Sequence, residues 1–267
     1  ASNDPSKIDA TVVAAALSVA YSGVDKAGAA AIGVARARDL IGDAELSPLQ
    51  VRAYLQDTSV TAAGDLTLTA HANQEIDATI VAASAAISAS SKGQAAALGG
   101  SGADAENRIT TRVEATIDGG GASGLQANAV TLKALDESTI DAVAVGAALV
   151  AALGSGGGGA AAVGVSIAQN SISTDLDAAI RNAQVTTRAG DIKIQAVEDA
   201  RIDATSVAAS LAAASGAIGI ALSGAGAEST NDIDARVKAH ADDSVLRSTG
   251  KVDIDAQDTS TIDAIVG

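Results

Sequence analysis

Ile140-Asp141-Ala142 is one of five copies of the same tripeptide, and the others begin at Ile8, Ile76, Ile202 and Ile262. They divide the chain into four similar units of 68, 64, 62 and 60 residues, spanning 8–75, 76–139, 140–201 and 202–261, with a fifth just starting at 262–267. A period of this length marks a repeat architecture, in which each unit buries its apolar face only against its neighbours. Two further markers keep the register. Asn107, Asn170 and Asn231 follow their Ile by 31, 30 and 29 residues, with Asp39 in the equivalent place of the first unit. The alternating pairs Leu66/Leu68, Val130/Leu132, Ile192/Ile194 and Val252/Ile254 each start ten residues before the next tripeptide. Length varies most between these two markers, which places the tolerant loop there; the first unit's longer version contains Gly42-Asp43-Ala44-Glu45-Leu46-Ser47-Pro48.

Composition narrows the class. Hydrophobic residues make up 48% of the 267, yet they are nearly all Ala, Val, Ile and Leu, with no Phe, Trp, Met or Cys and only Tyr21 and Tyr54 as aromatics. A core without large side chains forms only where backbones come close together, as when flat sheets covered in Ala and Gly face one another. One continuous body over 1–267 is expected, because stacked repeats have no separate cores. A formal net charge of -15 works against binding nucleic acid or anionic lipid. The longest apolar runs, such as Ala142 to Leu153, are too short and too rich in Ala and Gly for a membrane span. The first seven residues lack the basic and apolar regions of a leader, and the last copy of the tripeptide stands at the end, so the chain reads as a piece of a longer array.

The residues divide each unit into four segments. The first, Thr79-Ile80-Val81-Ala82-Ala83-Ser84-Ala85-Ala86-Ile87 in the second unit, has enough Ala to suit a helix. Its β-branched opening and the lack of a consistent N-cap favour a strand. The second, Ala162 to Ala168, alternates branched with small residues. The third, Ile109 to Ile117, and the fourth, Gly190 to Ala196, alternate apolar with polar or charged residues, so one side meets water. Gly154 to Gly159, interrupted by Ser155, lacks the Lys-Ser/Thr of a phosphate loop and reads as a turn between two strands. The fold class is therefore all-β, a repetitive β-solenoid of the parallel β-helix kind built from about four units of 60–68 residues.

Three phrases resemble a repeat family of very large bacterial exoproteins and adhesins, including leukotoxin-like and filamentous-haemagglutinin-like proteins. They are the small-residue strand running into Asn-x-Ile (Val163 to Ile172), the Val-Thr phrase ending in Gly-Asp and alternation (Val60 to Ala70, Val185 to Ala196), and the restart (Ser138 to Ala142, Ser260 to Ala264). The second unit departs from the pattern, reading Ala127-Asn128-Ala129-Val130 where Gly-Asp is expected. The resemblance implies a secreted or surface-displayed β-solenoid with adhesion, surface coating or cell contact as its role, and identifies no receptor and no catalytic residue.

Candidate chemistry is sparse. His71 and His240 lie in different parts of the repeat and read as two solvated imidazoles, and the pairs Asp232/Asp234 and Asp253/Asp255 read as solubilising variety. Without an aromatic platform for sugars, no enzyme is expected; a carbohydrate-active β-helix is the alternative, to be recognised by a cleft that breaks the repeat. Ice or mineral binding would need a sustained Thr row, and Thr67/Thr69 is followed by Thr131/Lys133, Lys193/Gln195 and Asp253/Asp255. If each unit is one wide coil, Asp9, Asp77, Asp141, Asp203 and Asp263 stack about 4.8 Å apart and repel by on the order of 1 kcal/mol per pair in water. Backbone N–H groups or Thr11, Thr79 and Thr205 would relieve that column; calcium is the second option, although no calcium-roll motif is present, and with three narrow coils per unit the problem disappears.

The small-residue strands leave both faces apolar, so one face fills the interior and the other needs cover. The expected partner is the chain itself, as homo-oligomer or filament, with Val145, Val165, Ile218 and Ile220 as self-association residues. Uncapped terminal rungs would add an axial route. The functional expectation is an extracellular structural or adhesive module of a large bacterial surface protein, a stalk, fibre or filament whose further partners are cell-surface glycans or host and neighbour cell surfaces.

Overall fold

The computed structural model describes residues 1–43, 47–121 and 123–267, and among them there is no helix. The first coil holds β1 (Ser2–Asp4), β2 (Lys7–Ser22), β3 (Ala27–Ile41), β4 (Leu49–Gln56), β5 (Val60–Thr61) and β6 (Leu66–Ala72). The second holds β7 (Glu75–Ser90), β8 (Gln94–Asp118), β9 (Leu125–Ala127) and β10 (Val130–Asp136). The third repeats this as β11 (Thr139–Gly154), β12 (Gly157–Arg181), β13 (Gln184–Thr187) and β14 (Ile192–Glu198), and the fourth as β15 (Arg201–Ser215), β16 (Gly219–Asp242), β17 (Val245–Arg247) and β18 (Val252–Asp258). β19 (Thr261–Val266) begins a fifth.

Each strand pairs in parallel with its equivalent in the next coil, which gives four sheets. The restart sheet has the order β19-β15-β11-β7-β2, the long sheet β16-β12-β8-β3 with β4 also on β8, the short sheet β1-β6-β10-β14-β18, and the corner sheet β17-β13-β9-β5. Ile8, Ile76, Ile140, Ile202 and Ile262 are successive Cα partners, so each repeat is one wide coil and the structure is a parallel β-solenoid. The strand reading of the Ala-rich first segment holds, and Ser155-Gly156 turns β11 into β12.

The expected four segments differ in one respect. The second and third run on as a single strand of 25 residues in β8 and β12, with the Asn marker inside it. The alternation never changes phase across the marker: Ala103, Ala105, Asn107 and Ile109 are all buried on one face. The Asn of the marker is an inward ladder partner. In the first coil Ile41 and Leu49 pair with Ile109 and Thr111, so Gly42–Pro48 is an insertion into a strand that is continuous in the other coils. Ala44, Glu45 and Leu46 of that loop lie outside the described residues. At the far end of the long sheet the chain turns through Asp57, Gly119, Asn182 and Asp243, all with positive φ, which Gly, Asn and Asp accept most readily.

The long sheet packs against the restart sheet along its first half and against the short sheet along its second. The interior tapers between them. At the wide end the core is branched aliphatic, with Val113, Leu132, Leu176, Ile180 and Ile194 fully enclosed. A middle layer sets Ile76, Ile140 and Ile202 with Ile109 and Ile172. At the thin end it is almost wholly Ala, from Ala86 and Ala97 to Ala152 and Ala162. There Gly33, Gly146 and Gly164 point inward, and a Cβ on any of them would overlap a backbone carbonyl of the facing sheet, at Ala83, Val165 and Ala209 respectively. Backbone thus lies on backbone, closer than the roughly 10 Å usual for packed sheets, which accounts for the missing large side chains.

Inside the long strand the second marker forms a ladder. Asn107 Nδ2 donates to Asn170 Oδ1 at 2.8 Å, and Asn170 Nδ2 to Asn231 Oδ1 at 2.8 Å. Stacked amides satisfy their buried polar atoms along the axis. The ladder begins at Asp39, which is the Cα partner of Asn107 and whose pKa is raised by burial. Asp39 Oδ2 and Asn107 Oδ1 are both buried without a hydrogen-bond partner at this end of the ladder.

The close approach of the sheets makes a measurable distinction between glycines. Gly146→Val forces a side chain into the opposing backbone and is expected to cost about 1–3 kcal/mol or more in denaturant unfolding. Gly100→Ala, where a Cβ meets nothing, is expected to stay within about 0.5 kcal/mol of the parent. Equal effects of the two substitutions would contradict the close-packed thin end.

Candidate interaction surface

The thin half of the solenoid carries almost no charge. From Ala142 to Thr174 there is no Asp, Glu, Lys or Arg, and the same holds from Ala204 to Ala227. In the first two coils only Asp25, Lys26 and Lys92, at the turn, break the pattern between Ala10 and Ala35 and between Ala78 and Ala103. Both outer faces there are aliphatic. The restart sheet shows Val13, Leu17 and Val19 in the first coil, Leu149 and Leu153 in the third and Leu211 in the fourth, all exposed. The long sheet shows Ile32, Val34, Leu98, Val163, Val165 and Leu222. Over four coils each is an apolar plate larger than single scattered residues would make.

The expected self-association residues fall on this half but not on one surface. Val145 stands on the outer face of the restart sheet and Val165 on the outer face of the long sheet, so the two point away from each other across the thin interior. Ile220 shares the face of Val165 one coil further on, and Ile218 belongs to the turn that precedes it. The restart face carries its large residues in columns along the solenoid axis, with Val13, Val81, Val145 and Val207 in register beside the alanines Ala15, Ala83, Ala147 and Ala209. A shallow recess of about 300 Å³ follows that alanine column.

Sequence reasoning missed a second class of glycine. Gly28, Gly100, Gly102, Gly159, Gly224 and Gly226 occupy outward positions of the long sheet, have no left-handed φ, and would place an added Cβ in open space. The signal was present, since these glycines occupy alternate positions in strands already read as alternating, but only the structure separates them from the inward glycines that the sheet packing requires.

The other half is charged, with acids in excess, and several of its cations pair with carboxylates across rungs. On the long sheet Arg36 pairs with Asp104 at 3.0 Å and Arg38 with Glu106 at 3.2 Å, each across one rung, while Arg52 and Arg112 both hold Glu114. The histidines are not simply solvated. His71 Nε2 lies 2.8 Å from Glu137, and His240 lies within 3.5 Å of Asp177 and 3.2 Å of Asp242, because the parallel stacking brings a carboxylate onto the neighbouring rung or strand position. Asp232 and Asp234 lie on the charged stretch of the long sheet, and Asp253 and Asp255 on the short sheet of the last coil. The Thr row is interrupted as its sequence suggested, with Thr67, Thr131, Lys193 and Asp253 as successive partners.

The repeated Asp residues do form a column, Asp9, Asp77, Asp141, Asp203 and Asp263. Its relief differs from the expected backbone and Thr bonding. Lys7 bridges Glu75 at 2.9 Å and Asp77 at 2.6 Å, and Arg201 bridges Asp203 at 2.6 Å and Asp263 at 3.1 Å. Residues two before each Asp stand on the same face, so a cation there reaches the next rung, as Lys7 does, or its own rung and the next, as Arg201 does. Both cations are held above their usual pKa by these carboxylates. Asp141 sits between the two bridges, with Thr139 in the cation's position, and its pKa is raised by burial and then by Asp203 and Asp77. Among the described residues no group of three or more His, Cys, Asp and Glu is arranged to hold a metal.

A second acidic column was not anticipated. Asp4, Asp136, Glu198 and Asp258, with Ala72 between Asp4 and Asp136, are successive partners at the corner between the short and restart sheets, four residues before each restart Ile. Asp136 is fully buried; its Oδ1 accepts from the Ser138 backbone N–H at 2.7 Å and its Oδ2 from the Thr111 hydroxyl at 2.8 Å. Ser260 makes the same turn with Asp258. Burial pushes Asp136 up against these bonds. Glu198, followed by Ala200 rather than Ser, has no bonded partner for either oxygen, and burial followed by the charges of Asp136 and Asp258 raises it to about 9. Asp136 and Glu198 are buried corner fittings, whereas Asp4 is half-buried and Asp258, in the last coil, is exposed. A recess of about 210 Å³ lies beside the first-coil insertion, lined by Pro48, Arg112, Asp175, Asp234 and Arg236, and in it Arg112 lies 3.9 Å from Asp175 across one rung.

Comparison with protein-family models, curated protein sequences and solved structures gives no match.

Two outcomes follow from the columns. Asp141→Asn removes a charge that its neighbours oppose, so it is expected to raise the melting temperature slightly at pH 7, by a few tenths of a kcal/mol after solvent screening; a calcium-bridged column would give a lower melting temperature instead. Glu198 binds a proton in the folded state that the unfolded chain has released, so stability falls as pH rises from about 4.5 to about 9. Glu198→Gln is expected to flatten that slope and to add on the order of 1–3 kcal/mol at pH 8, read from chemical unfolding at several pH values.

Proposed function

We propose that this chain is a non-enzymatic structural module of an extracellular or surface-displayed protein, a stiff segment that associates laterally with copies of itself to build a stalk, fibre or sheet. The observation that carries this reading is the division of the coil into a charged half and an uncharged half with two apolar outer faces. A monomer in water gains nothing from such a plate, whereas burying it between copies removes apolar area from water. The charged half, with the net charge of -15, keeps the assembly soluble and limits how copies approach. Continuous backbone ladders supply stiffness along the axis, and repetition of the same weak contact from coil to coil supplies avidity.

Contact with glycans or cell surfaces belongs to the same proposal as a role of the charged faces, where Arg and carboxylate side chains alternate between rungs. The carbohydrate-active alternative would need a cleft that breaks the repeat and gathers carboxylates, and the recess beside the first-coil insertion brings together Asp175, which pairs with Arg112, and Asp234 beside Arg236.

The test is mass in solution by light scattering across a concentration series. The parent is expected to associate at micromolar to millimolar concentration, and a single lysine on an apolar face, Val145→Lys or Val165→Lys, is expected to shift the equilibrium towards monomer with strand content retained by circular dichroism. A parent that stays monomeric throughout the series would remove the proposal.

A further inference from the structure

The outer face of the long sheet shows a pattern of large and small residues that no interior contact explains. Its six outward glycines are unconstrained by φ and touch nothing within the chain. Glycine inside a strand loses packing and costs backbone entropy, and where no turn or bulge requires it, it marks close approach by another backbone or ligand. The glycines are also ordered. One column reads Ile32, Gly100, Val163, Gly224 and the next Val34, Gly102, Val165, Gly226, so coils one and three carry ridges and coils two and four carry grooves. The adjoining column, Ala30, Leu98, Ala161, Leu222, alternates in the opposite phase. Beside it stand Gly28, Ala96, Gly159 and Ile220.

We infer that this face pairs with the same face of a second copy about a two-fold axis that runs parallel to the strands between the second and third coils. The inference rests on the self-association proposed above and names the face and the arrangement. Such an axis keeps the position along the strand and reverses the order of coils, so coil one meets coil four and coil two meets coil three. Every column then sets large against small. Val163 and Val165 meet Gly100 and Gly102, and Ile32 and Val34 meet Gly224 and Gly226. In the opposite-phase column Leu98 meets Ala161 and Leu222 meets Ala30, and in the last Ile220 meets Gly28 while Ala96 meets Gly159. At the charged border the same operation brings Arg36 opposite Glu228, a complementary pair. An isologous contact requires this kind of self-complementarity.

The restart sheet has it only in part. Reversing its coils sets Val19 against Ala213 and Tyr21 against Ser215, but also Val13 against Val207, Val81 against Val145 and Leu17 against Leu211, large on large. The available area also fits: about nine residues by four rungs is roughly 30 Å by 19 Å, or about 1,200 Å² over both copies, at the lower edge of stable specific interfaces. Ridges seated in glycine grooves would let two sheets interdigitate as dry zippers do.

Filling the grooves tests the arrangement, since a Cβ added at these glycines meets nothing within 4 Å and a longer side chain extends along the outer face beside Ile32, Val34, Val163 and Val165. Gly100→Leu with Gly102→Leu adds apolar surface, yet is expected to weaken the dimer by more than about tenfold in Kd, measured by sedimentation equilibrium with thermal melting as a check of folding. Because the chain has no cysteine, disulfide trapping gives a second reading. A mixture of Gly102→Cys chains with Val165→Cys chains is expected to form the mixed disulfide dimer under mild oxidation in preference to either homodimer. A dimer that survives groove filling, or tightens, together with absence of the mixed disulfide, overturns this pairing while leaving self-association standing. A parent that is monomeric overturns both.

Discussion

Parallel, in-register stacking at about 4.8 Å per coil is the constraint from which the rest of this protein follows. Each side chain lies next to its counterpart one repeat away, so the energy of any residue is set by whether its type tolerates a copy of itself. Aliphatic residues do, and they form the Ile and Leu layers of the core. Amides do so with profit, since each Asn can donate to the next and accept from the one before. Carboxylates do not, and the structure answers each acidic column differently. The outer one is relieved by Lys7, which reaches Asp77 on the next rung, and by Arg201, which bridges Asp203 and Asp263. The inner one is capped by backbone N–H and hydroxyl groups at Asp136 and neutralised at Glu198.

The second constraint is the facing of two sheets across an interior that narrows from branched side chains to bare backbone. It fixes composition more strongly than any site does. Where Gly146 and Gly164 allow the sheets to touch, no aromatic or long aliphatic side chain fits, and the chain spends its larger residues on the wide end and on its outer faces. Placing Val, Leu and Ile outward on a thin plate is costly for a lone molecule in water. That cost, set beside outward glycines that serve nothing within the chain, gives the proposed assembly its physical basis. Charges are withheld from the same half, so the apolar faces meet no like-charge barrier when two copies approach.

The repeat, the strand class and the wide spacing of equivalent positions were legible in the sequence because period-two alternation and fixed intervals are one-dimensional properties. Ile8 through Ile262 predicted a column, and a column was found. The corner acids were equally legible in spacing, four residues before each restart, but the scattered identities Asp4, Ala72, Asp136, Glu198 and Asp258 concealed that they shared one environment.

Other features were decided only in three dimensions. Whether a unit makes one coil or three depends on which rungs pair, and alternation is the same in both cases. The continuity of the 25-residue strand through its Asn depended on that side chain finding an amide partner 60 residues away, which makes a turn-forming residue a ladder rung. The cations that relieve the Asp column are two residues from it in sequence and are effective only because the strand turns both side chains to one face. Inward and outward glycines are identical in sequence, and only the facing backbone of the opposite sheet distinguishes them. The sequence by itself determined which residues recur and at what interval; the tertiary structure decided what each recurrence touches, because contact with an identical neighbour and contact with an opposing sheet are both long-range.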